Sequence, residues 1–391
     1  MRWIPTVLAT LTLVVTSGCK QAMIVGVVLP ETGEAADYGT SLKYGLRLAF
    51  ADAQAAGKVP SGWEVVWMDS GSDPARAAAA IESLYRKGAI MVIGGATSGE
   101  ALAMIPVAEE YKRVLLSPSA TVPGLAEKSL WKFCLFPPDD REAGVAARIL
   151  LEGTSPGQLD SRVVILRDES PYTAGLIPEF TSAAERSGGT VVGVLDMEKS
   201  GWMPALDELL AARQRPGSAY VAGYGEAIVE ALQALRDRNF QGRIVTTSAI
   251  YTATILRQAR SLAEGVFFPL VAFDTSSTDE PIRSFVLRYT TEYGVAPDIF
   301  AAHGYDAGLA TLHTLNGLAR PAPRDVQIQL RGIGDKVGVT GSLAFDDNGN
   351  IQRYPVSHII KNGKVENVAI WRTREAERIR AEMERILMLR R

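Results

Sequence analysis

The sequence predicts an α/β fold of two doubly wound lobes with a cleft between them. Short apolar segments alternate with longer helical patterns along most of the 391 residues, which is typical of parallel sheets covered by helices. The alternation begins near Met23 and begins again after Pro137-Pro138, so the chain contains two units of comparable length. At about 150 residues per domain, the chain is long enough for two lobes with separate cores.

The first unit extends over residues 23–116. Its opening segment, residues 23–29, is apolar on both faces, as expected of a strand inside a parallel sheet. The second predicted helix has clear ends, because Asp73 is a favourable N-cap, Pro74 suits the first helical position and Gly88 lies just past the last turn. The predicted strands are residues 23–29, 63–68, 89–93 and 113–116, and the predicted helices are residues 40–56, 73–87 and 98–111.

The second unit repeats this alternation after the two prolines. Ligands of such sheets bind at the carboxyl ends of the strands, near helix N-termini, so the cleft between the units predicts a ligand site. The predicted strands are residues 163–166, 191–195, 219–222 and 244–247, and the predicted helices are residues 141–151, 174–186, 204–212 and 226–238.

The pattern changes after Phe267-Phe268. A loop is predicted at residues 273–279, helices at residues 280–293 and 301–318, and a hairpin at residues 342–354. In this hairpin Asn348-Gly349 would supply the positive φ angles of a tight turn. Residues 371–391 predict a charged helix, which has Ile379, Met383, Ile386 and Leu387 at helical spacing. This helix either packs on its own lobe or binds a partner.

The N-terminal residues 1–18 predict a secretory signal peptide. Arg2 precedes an apolar run, and small residues lead to Cys19. The sequence Thr16-Ser17-Gly18-Cys19 resembles the bacterial lipobox, in which the cysteine is acylated and anchors the exported protein to a membrane. An ordinary cleaved signal is the alternative, because Thr16 stands where a lipobox has an aliphatic residue. Cys134 would then be a lone, buried thiol.

Composition and motifs argue against nucleic-acid binding and catalysis. The chain has 41 Lys and Arg against 44 Asp and Glu, without the clustered cations that a duplex requires. The three histidines, His303, His313 and His358, lack zinc-ligand spacing. In residues 95–99, Thr97 stands where a nucleophile elbow has serine. We therefore expect no enzyme activity, no cofactor and no metal.

Two polar loops follow neighbouring strands of the first unit. Residues 94–99 (Gly-Gly-Ala-Thr-Ser-Gly) lead into a helix, and residues 117–121 (Ser-Pro-Ser-Ala-Thr) follow the next strand. Backbone N–H groups at a helix start favour a carboxylate or another anion, and neither loop contains Lys or Arg. The loops thus predict reversible anion binding by neutral dipoles, with ordinary glycine- and serine-rich turns as the alternative.

Several short motifs form an ordered set over residues 23–370. They are the segment 23–30 (MIVGVVLP), Thr32-Gly33, Tyr38-Gly39, Gly45, the segment 117–121, Tyr172-Thr173-Ala174-Gly175, Ala222-Gly223-Tyr224 and Glu264-Gly265-Val266. This set resembles the leucine/isoleucine/valine-binding protein family, the class I periplasmic solute-binding proteins of ABC importers. The resemblance implies a Venus-flytrap fold with three crossovers between the lobes, near residues 137–140, 270–274 and 345–349.

The resemblance also implies the residues of a ligand site, which lies between the lobes. Positions that hold the ligand's α-carboxylate match Ser98, Ser119, Ala120 and Thr121; a first-lobe pocket position matches Tyr38; and second-lobe residues that close over the ligand match Tyr172 and Tyr224. Hinge closure onto the ligand is the implied motion.

One part of the implied site departs from the family. A second-lobe carboxylate pairs the ligand's ammonium in the amino-acid binders, whereas the matching residues 246–250 (Thr-Thr-Ser-Ala-Ile) contain no acid. A buried unpaired ammonium is costly. Glu226 or Asp306 could pair it, and each has the alternative role of a helix-terminus or hinge residue.

The sequence therefore predicts an exported, lipid-anchored solute-binding protein of an ABC importer, held at the cell envelope. Its solute would be a small carboxylate-bearing molecule resembling a branched-chain amino acid, and its partners would be the permease and the membrane. A lipoprotein interaction or sensor module that binds an envelope protein is the alternative. The predicted first lobe comprises residues 19–138 and 272–345, and the second comprises residues 139–271 and 346–370.

Overall fold

The computed structural model describes residues 23–59, 62–318, 321–334 and 336–389. The predicted signal peptide and Cys19 lie outside these residues. The described chain forms two main sheets covered by helices, which confirms the predicted α/β fold of two doubly wound lobes. In the described part, no helix combines the length and the apolar character needed to cross a bilayer.

The first sheet has five parallel strands in the order β2-β1-β3-β4-β5. The interior strand β1 pairs with β2 on one side and β3 on the other, and its last five residues are buried, which explains its apolar sequence. The strands are β1 (Met23–Leu29), β2 (Trp63–Asp69), β3 (Met91–Gly94), β4 (Val114–Ser117) and β5 (Lys132–Cys134).

The second sheet has seven strands in the order β14-β13-β10-β9-β8-β6-β7. Five of them are parallel, and β13 and β14 form an antiparallel hairpin at one edge. Its strands are β6 (Arg162–Arg167), β7 (Thr190–Asp196), β8 (Ser218–Ala222), β9 (Arg243–Thr246), β10 (Phe267–Leu270), β13 (Val356–Lys361) and β14 (Lys364–Asn367), and a separate small sheet contains β11 (Val337–Gly338) and β12 (Gly341–Ser342).

Twelve α-helices occur in the described residues. They are α1 (Ala36–Ala55), α2 (Pro74–Arg86), α3 (Ser98–Tyr111), α4 (Asp139–Leu151), α5 (Pro171–Arg186), α6 (Trp202–Ala211), α7 (Gly225–Asp237), α8 (Ala253–Ala259), α9 (Ile282–Tyr293), α10 (Ile299–Leu315), α11 (Pro323–Arg331) and α12 (Val368–Leu389). As the sequence predicts, the Asp73 carboxylate caps α2 by accepting from the N–H groups of Ala75 and Arg76.

Helices α1 and α10 pack against each other although about 250 residues separate them in the chain. Two glycines permit a backbone-to-backbone approach. A Cβ added at Gly45 would lie 1.9 Å from the Ala301 carbonyl oxygen, and one added at Gly304 would lie 2.1 Å from the Leu42 carbonyl oxygen. Helix α10, from the late part of the chain, therefore belongs to the same lobe as the first sheet.

The predicted hairpin at residues 342–354 is wrong in its strands. A turn forms at residues 347–349, but Phe345 and Ile351 make only an isolated bridge. The reason is competition from β5: Cys134 donates its N–H to the Gly349 carbonyl and accepts from the N–H of Ile351. The long hairpin of this region is β13-β14, with its turn at Asn362-Gly363.

A buried ion pair lies where α10 meets the small sheet. Asp306 on α10 accepts from the N–H groups of Val339 (2.7 Å) and Thr340 (3.1 Å), and Arg353 donates to the same carboxylate at 3.3 Å. Burial raises the pKa of Asp306, and Arg353 and the hydrogen bonds oppose this rise. The carboxylate thus has a cationic partner and several donors.

The C-terminal helix α12 packs on its own lobe only at its beginning. Arg372 donates two hydrogen bonds of 2.8 and 2.5 Å to Glu152, the residue that follows α4, and Lys361 lies over the Trp371 ring. Farther along, Ile379 and Met383 are exposed. Both alternatives drawn from the sequence therefore stay open for the distal half of this helix.

Candidate ligand-binding site between the lobes

A small cavity lies between the lobes, at the carboxyl ends of the first sheet's strands. Its volume is about 20 Å³, which is room for about one water molecule. A larger solute would therefore enter only if the lobes separated or the side chains rotated. The side of the first sheet contributes Tyr38, Ala96, Thr97, Ser119, Thr121, Phe136 and Phe300; the side of the second sheet contributes Tyr172, Tyr224, Ser248 and Ala249.

The loop of residues 94–99 is fixed by a capping box at the start of α3. The Thr97 hydroxyl accepts from the Glu100 N–H at 3.2 Å, and the Glu100 carboxylate accepts from the Thr97 N–H at 3.0 Å. Ser98 is buried, and its hydroxyl has no hydrogen-bond partner. This unpaired hydroxyl lies at a helix start, where a carboxylate is favoured.

The loop of residues 117–121 is hydrogen-bonded to the first loop. Ser117 Oγ donates to the Gly95 carbonyl at 2.8 Å, and Ser119 Oγ donates to the Ala96 carbonyl at 2.6 Å. The Ala120 N–H donates to Ser117 Oγ, and Ala120 is buried without lining the cavity. Two of the predicted hydroxyls thus hold the loops together.

Tyr38 connects the two lobes directly. Its hydroxyl accepts from the Gly225 N–H at 2.8 Å and donates to the Ala249 carbonyl at 3.2 Å. Its ring packs edge-on against Tyr224 and Phe300. Burial raises the pKa of Tyr38, so the hydroxyl stays protonated and acts as both donor and acceptor.

Tyr172 and Tyr224 form the second-lobe wall of the cavity, with ring centroids 5.0 Å apart. Tyr172 donates to Glu142 Oε1 at 3.4 Å, and the Tyr224 N–H donates to Asp168 Oδ2 at 2.8 Å. Burial raises the pKa of both hydroxyls. The structure therefore brings together three predicted tyrosines, Ser119 and Thr121 around one cavity, with Ser98 and Ala120 buried in the same loops.

The two acids considered as ammonium partners lie elsewhere. Glu226 is exposed in the first turn of α7 and does not line the cavity. Asp306 is occupied by Arg353 and by the backbone of the small sheet. His303, which stacks on Phe136, is neutral because burial lowers its pKa well below the usual value.

Sequence reasoning missed two buried acids beside the cavity, Asp139 and Glu142, in the first turn of α4. Glu142 accepts from the N–H and the hydroxyl of Ser248, at 2.9 and 3.0 Å. Burial raises the pKa of Glu142 to about 7, although hydrogen bonds from Ser248 and Tyr172 oppose the shift. The sequence signal was Asp139-Asp140 directly after the two prolines, which resembles an ordinary acidic first turn.

Comparisons with known proteins give the chain's relatives. A sequence model of the family described as "Periplasmic binding protein" matches residues 23–364. The Leu/Ile/Val-binding protein homolog 2 of Brucella abortus is 23% identical over 341 residues, which cover 84% of this chain and 87% of that protein.

Two solved structures are also similar. LivJ of Streptococcus pneumoniae, a branched-chain amino acid transporter substrate-binding protein in complex with isoleucine, superposes with a TM-score of 0.78 and 25% identity, covering 88% of this chain and 98% of that one. A solute-binding protein of an ABC transporter from Rhodopseudomonas palustris, in complex with benzoate, has a TM-score of 0.75 and 18% identity, covering 89% and 95%. This second likeness concerns the fold alone.

Proposed function

This chain belongs to the periplasmic binding protein family, whose members are extracytoplasmic solute-binding proteins and not enzymes, and from that premise we propose that it captures a small carboxylate-bearing solute for an ABC importer. The proposal is carried by one observation: the buried, hydroxyl-rich cavity closed between the lobes by Tyr38. The related proteins bound to isoleucine and to benzoate support a carboxylate as the shared feature of the solute.

The first-lobe side of the cavity suits a carboxylate that must also be released. Residues that line the cavity include no Lys or Arg, so an anion would be held by backbone N–H groups and hydroxyls. Ser98, Ser119, Ala120 and Thr121 are the residues proposed to contribute at this end. Neutral donors stabilise an anion less than a buried cation would, which favours exchange of the solute.

Closure of the lobes is proposed to accompany binding. Tyr38 makes two hydrogen bonds to the opposite lobe, each contributing about 1 kcal/mol. Separation of the lobes breaks both bonds, and a solute that contacts both lobes shifts the equilibrium back toward closure. Tyr172 and Tyr224 would then cover the solute.

Anchoring through Cys19 stays part of the proposal, and it concerns residues outside the structural description. Acylation would hold the protein at the membrane beside its permease. Radioactive palmitate supplied to expressing cells should label the wild-type protein and leave the Cys19→Ala variant unlabelled. Equal labelling of both proteins would contradict the anchor at this residue.

The alternative of an interaction or sensor module draws support from the distal half of α12. Its exposed side chains include Ile379, Met383 and Ile386 on a helix otherwise rich in charge. Removal of residues 376–391 should abolish retention of an envelope protein if this alternative holds, and should leave solute binding intact if the importer function holds.

Solute binding is tested by titration calorimetry with L-leucine, L-isoleucine, 4-methylpentanoate and benzoate. We expect at least one of these carboxylates to bind, and Thr121→Ala or Tyr224→Ala to weaken it about tenfold or more. Arg86→Ala is the control, because Arg86 is an exposed residue of α2 that does not line the cavity. Absence of binding by all four compounds would contradict the proposed function.

A further inference from the structure

Lys132 and Cys134 form a buried pair on strand β5, outside the cavity between the lobes. The two residues are separated by one position, so their side chains point to the same face of the strand. Lys132 is fully buried, Cys134 is 3% exposed, and neither lines the cavity. The proposed solute binding therefore leaves this pair without a role.

A buried lysine normally pairs with a carboxylate, and Lys132 has no such partner among the described residues. Its Nζ donates to the Phe133 carbonyl at 3.1 Å and to Cys134 Sγ at 2.7 Å. Burial lowers the pKa of Lys132, and Cys134 is the group that opposes this shift. An ammonium without a carboxylate is costly to bury, so these surroundings favour a neutral amine, which is a nucleophile, beside the sulfur.

The distance between Lys132 Nζ and Cys134 Sγ is short for a hydrogen bond to sulfur. Sulfur is larger than oxygen, and 2.7 Å lies at the short end of the range even for an N–H···O bond. Two single bonds to one shared oxygen atom span nearly the same distance. The side chains thus already have the separation of an oxygen-bridged product, and a bridge requires little movement of the backbone.

Packing alone gives a poor account of the two side chains. Strand β5 is joined to residues 349–351 by backbone groups, since the Cys134 N–H donates to the Gly349 carbonyl and the Cys134 carbonyl accepts from the Ile351 N–H. These bonds require neither an amine nor a thiol. A leucine at position 132 would fill the same interior without the cost of desolvating an amine. The combination of amine and thiol therefore indicates chemistry between them.

We propose that Lys132 and Cys134 are an oxidative crosslinking site, at which dioxygen joins Nζ to Sγ through one oxygen atom. One N–H bond, the S–H bond and the O–O bond break, while an N–O bond and an O–S bond form. The second oxygen atom leaves as water with the two released hydrogens. Nitrogen and sulfur each give up two electrons, which together reduce dioxygen. An ammonium beside a thiolate contains the same atoms, so this balance does not depend on where the proton lies.

The location of the family supplies the oxidant. Its members are extracytoplasmic, where cytosolic reductants do not keep thiols reduced. Cys134 is the only cysteine of the described residues, so no disulfide among them competes with the bridge. Dioxygen is small, and local opening of the structure admits it to buried side chains. This inference does not rest on the proposed function, because the bridge forms whichever solute the cavity holds.

The test is a peptide map of the full wild-type protein, exported by expressing cells and purified either in air or without oxygen in dithiothreitol. Trypsin cuts after Lys and Arg, so an unbridged chain gives separate peptides 129–132 and 133–141. A bridged chain gives one peptide, 129–141, because the modified Lys132 is not cut. The mass of this peptide is about 14 Da above that of its sequence, since one oxygen is gained and two hydrogens are lost.

We expect the bridged peptide in protein purified in air. Dithiothreitol should convert it to the two separate peptides, with a free thiol on Cys134. Lys132→Arg keeps a cation and a cleavage site, Cys134→Ser keeps the approximate size, and neither variant should give the heavier peptide. Lys112→Arg is the matched control and should keep the bridge, because Lys112 is an exposed lysine paired with Glu109.

Three results on the wild type would overturn the inference, and none of them depends on how the variants fold. The first is a free Cys134 thiol and a normally cut Lys132 in protein purified in air. The second is a gain of about 16 or 32 Da on Cys134 with Lys132 still cut, which indicates sulfenic or sulfinic acid without a bridge. The third is a gain of about 14 Da that survives dithiothreitol, which indicates methylation of the lysine. Each result leaves the proposed solute binding intact.

Discussion

Two buried acids of this protein have opposite surroundings. Asp306 has Arg353, the Thr340 hydroxyl and two backbone N–H groups around its carboxylate, whereas the Thr121 hydroxyl is the one hydrogen-bonding group of the described residues that lowers the pKa of Asp139. Both are fully buried. The difference teaches that burial alone does not set the charge of an acid: Arg353 opposes the rise in the pKa of Asp306, whereas burial raises the pKa of Asp139 well above its usual value with no cation to oppose it among the groups that shift it.

The largest expected effect is the loss of the paired acid. Asp306→Ala leaves the Arg353 guanidinium buried without its carboxylate, which should lower the free energy of unfolding by about 3–5 kcal/mol. Urea denaturation measures this change. The double variant Asp306→Leu with Arg353→Met is the control and should recover part of the loss. If Asp306→Ala lowers the free energy of unfolding by less than about 1 kcal/mol, the fold does not depend on the pairing of Asp306 with Arg353.

Glu142 should make stability depend on pH in the opposite sense to a salt-bridged acid. Its pKa rises from about 4.5 in the unfolded chain to about 7 in the fold, so the folded state holds a proton that the unfolded state has lost. Between about pH 4.5 and 7, rising pH should therefore destabilise the wild type by on the order of 3 kcal/mol.

The measurement is the difference in unfolding free energy between Glu142→Gln and the wild type, from pH 4.5 to 8. Because the glutamine does not titrate, this difference should move in favour of the variant as pH rises. A flat difference for Glu142→Gln would contradict the raised pKa of Glu142.

Tyr38→Phe removes the hydroxyl that bridges the lobes and should favour their separation. Two hydrogen bonds are lost, so the closed state should become less stable by about 1–2 kcal/mol. Small-angle X-ray scattering should give a larger radius of gyration for the variant. Tyr293→Phe is the control, because Tyr293 donates to the Tyr44 carbonyl of α1 without crossing the cleft. If the two variants give the same radius of gyration, the Tyr38 hydroxyl does not hold the lobes together, and Tyr38 contributes only through the packing of its ring.

The smallest expected effect is that of Asp139→Asn on stability without solute. Burial raises the pKa of Asp139 well above its usual value, so asparagine replaces a neutral carboxyl group of nearly the same shape and the unfolding free energy at pH 7 should stay within about 1 kcal/mol of wild type. The same urea experiment applies. A loss comparable to that of Asp306→Ala would show that the fold requires the Asp139 carboxyl group.

Much of the fold was predictable because local patterns and burial agree. Strand β1 is apolar on both faces and is buried between two neighbours, and α2 carries its own cap signals. The short strand β5 was missed because Lys132 suggests an exposed position. The structure buries this lysine completely and lets its Nζ donate to Cys134 Sγ at 2.7 Å and to the Phe133 carbonyl at 3.1 Å. The predicted burial of Cys134 is confirmed.

The candidate site was predictable on its first-lobe side and not on the side of α4. Loops with glycine and serine after strands have a local sequence signal, and the tyrosines follow from the family motifs. The burial of Asp139 and Glu142 depends on α4 lying under Ser248, more than 100 residues away in the chain. No local pattern encodes such a contact, and an acidic first turn looks the same on an exposed helix.

The backbone-close packing of α1 against α10 has a consequence for the order in which the molecule forms. Helix α1 ends at Ala55, and its packing partner begins only at Ile299. When about the first 290 residues have been synthesised, all five strands of the first sheet are present, but α10, which packs on α1, is not. Contacts of such high sequence separation slow folding, because the loop between them must close first. The lobe built on the five-stranded sheet should accordingly be the later of the two to become resistant to proteolysis during refolding.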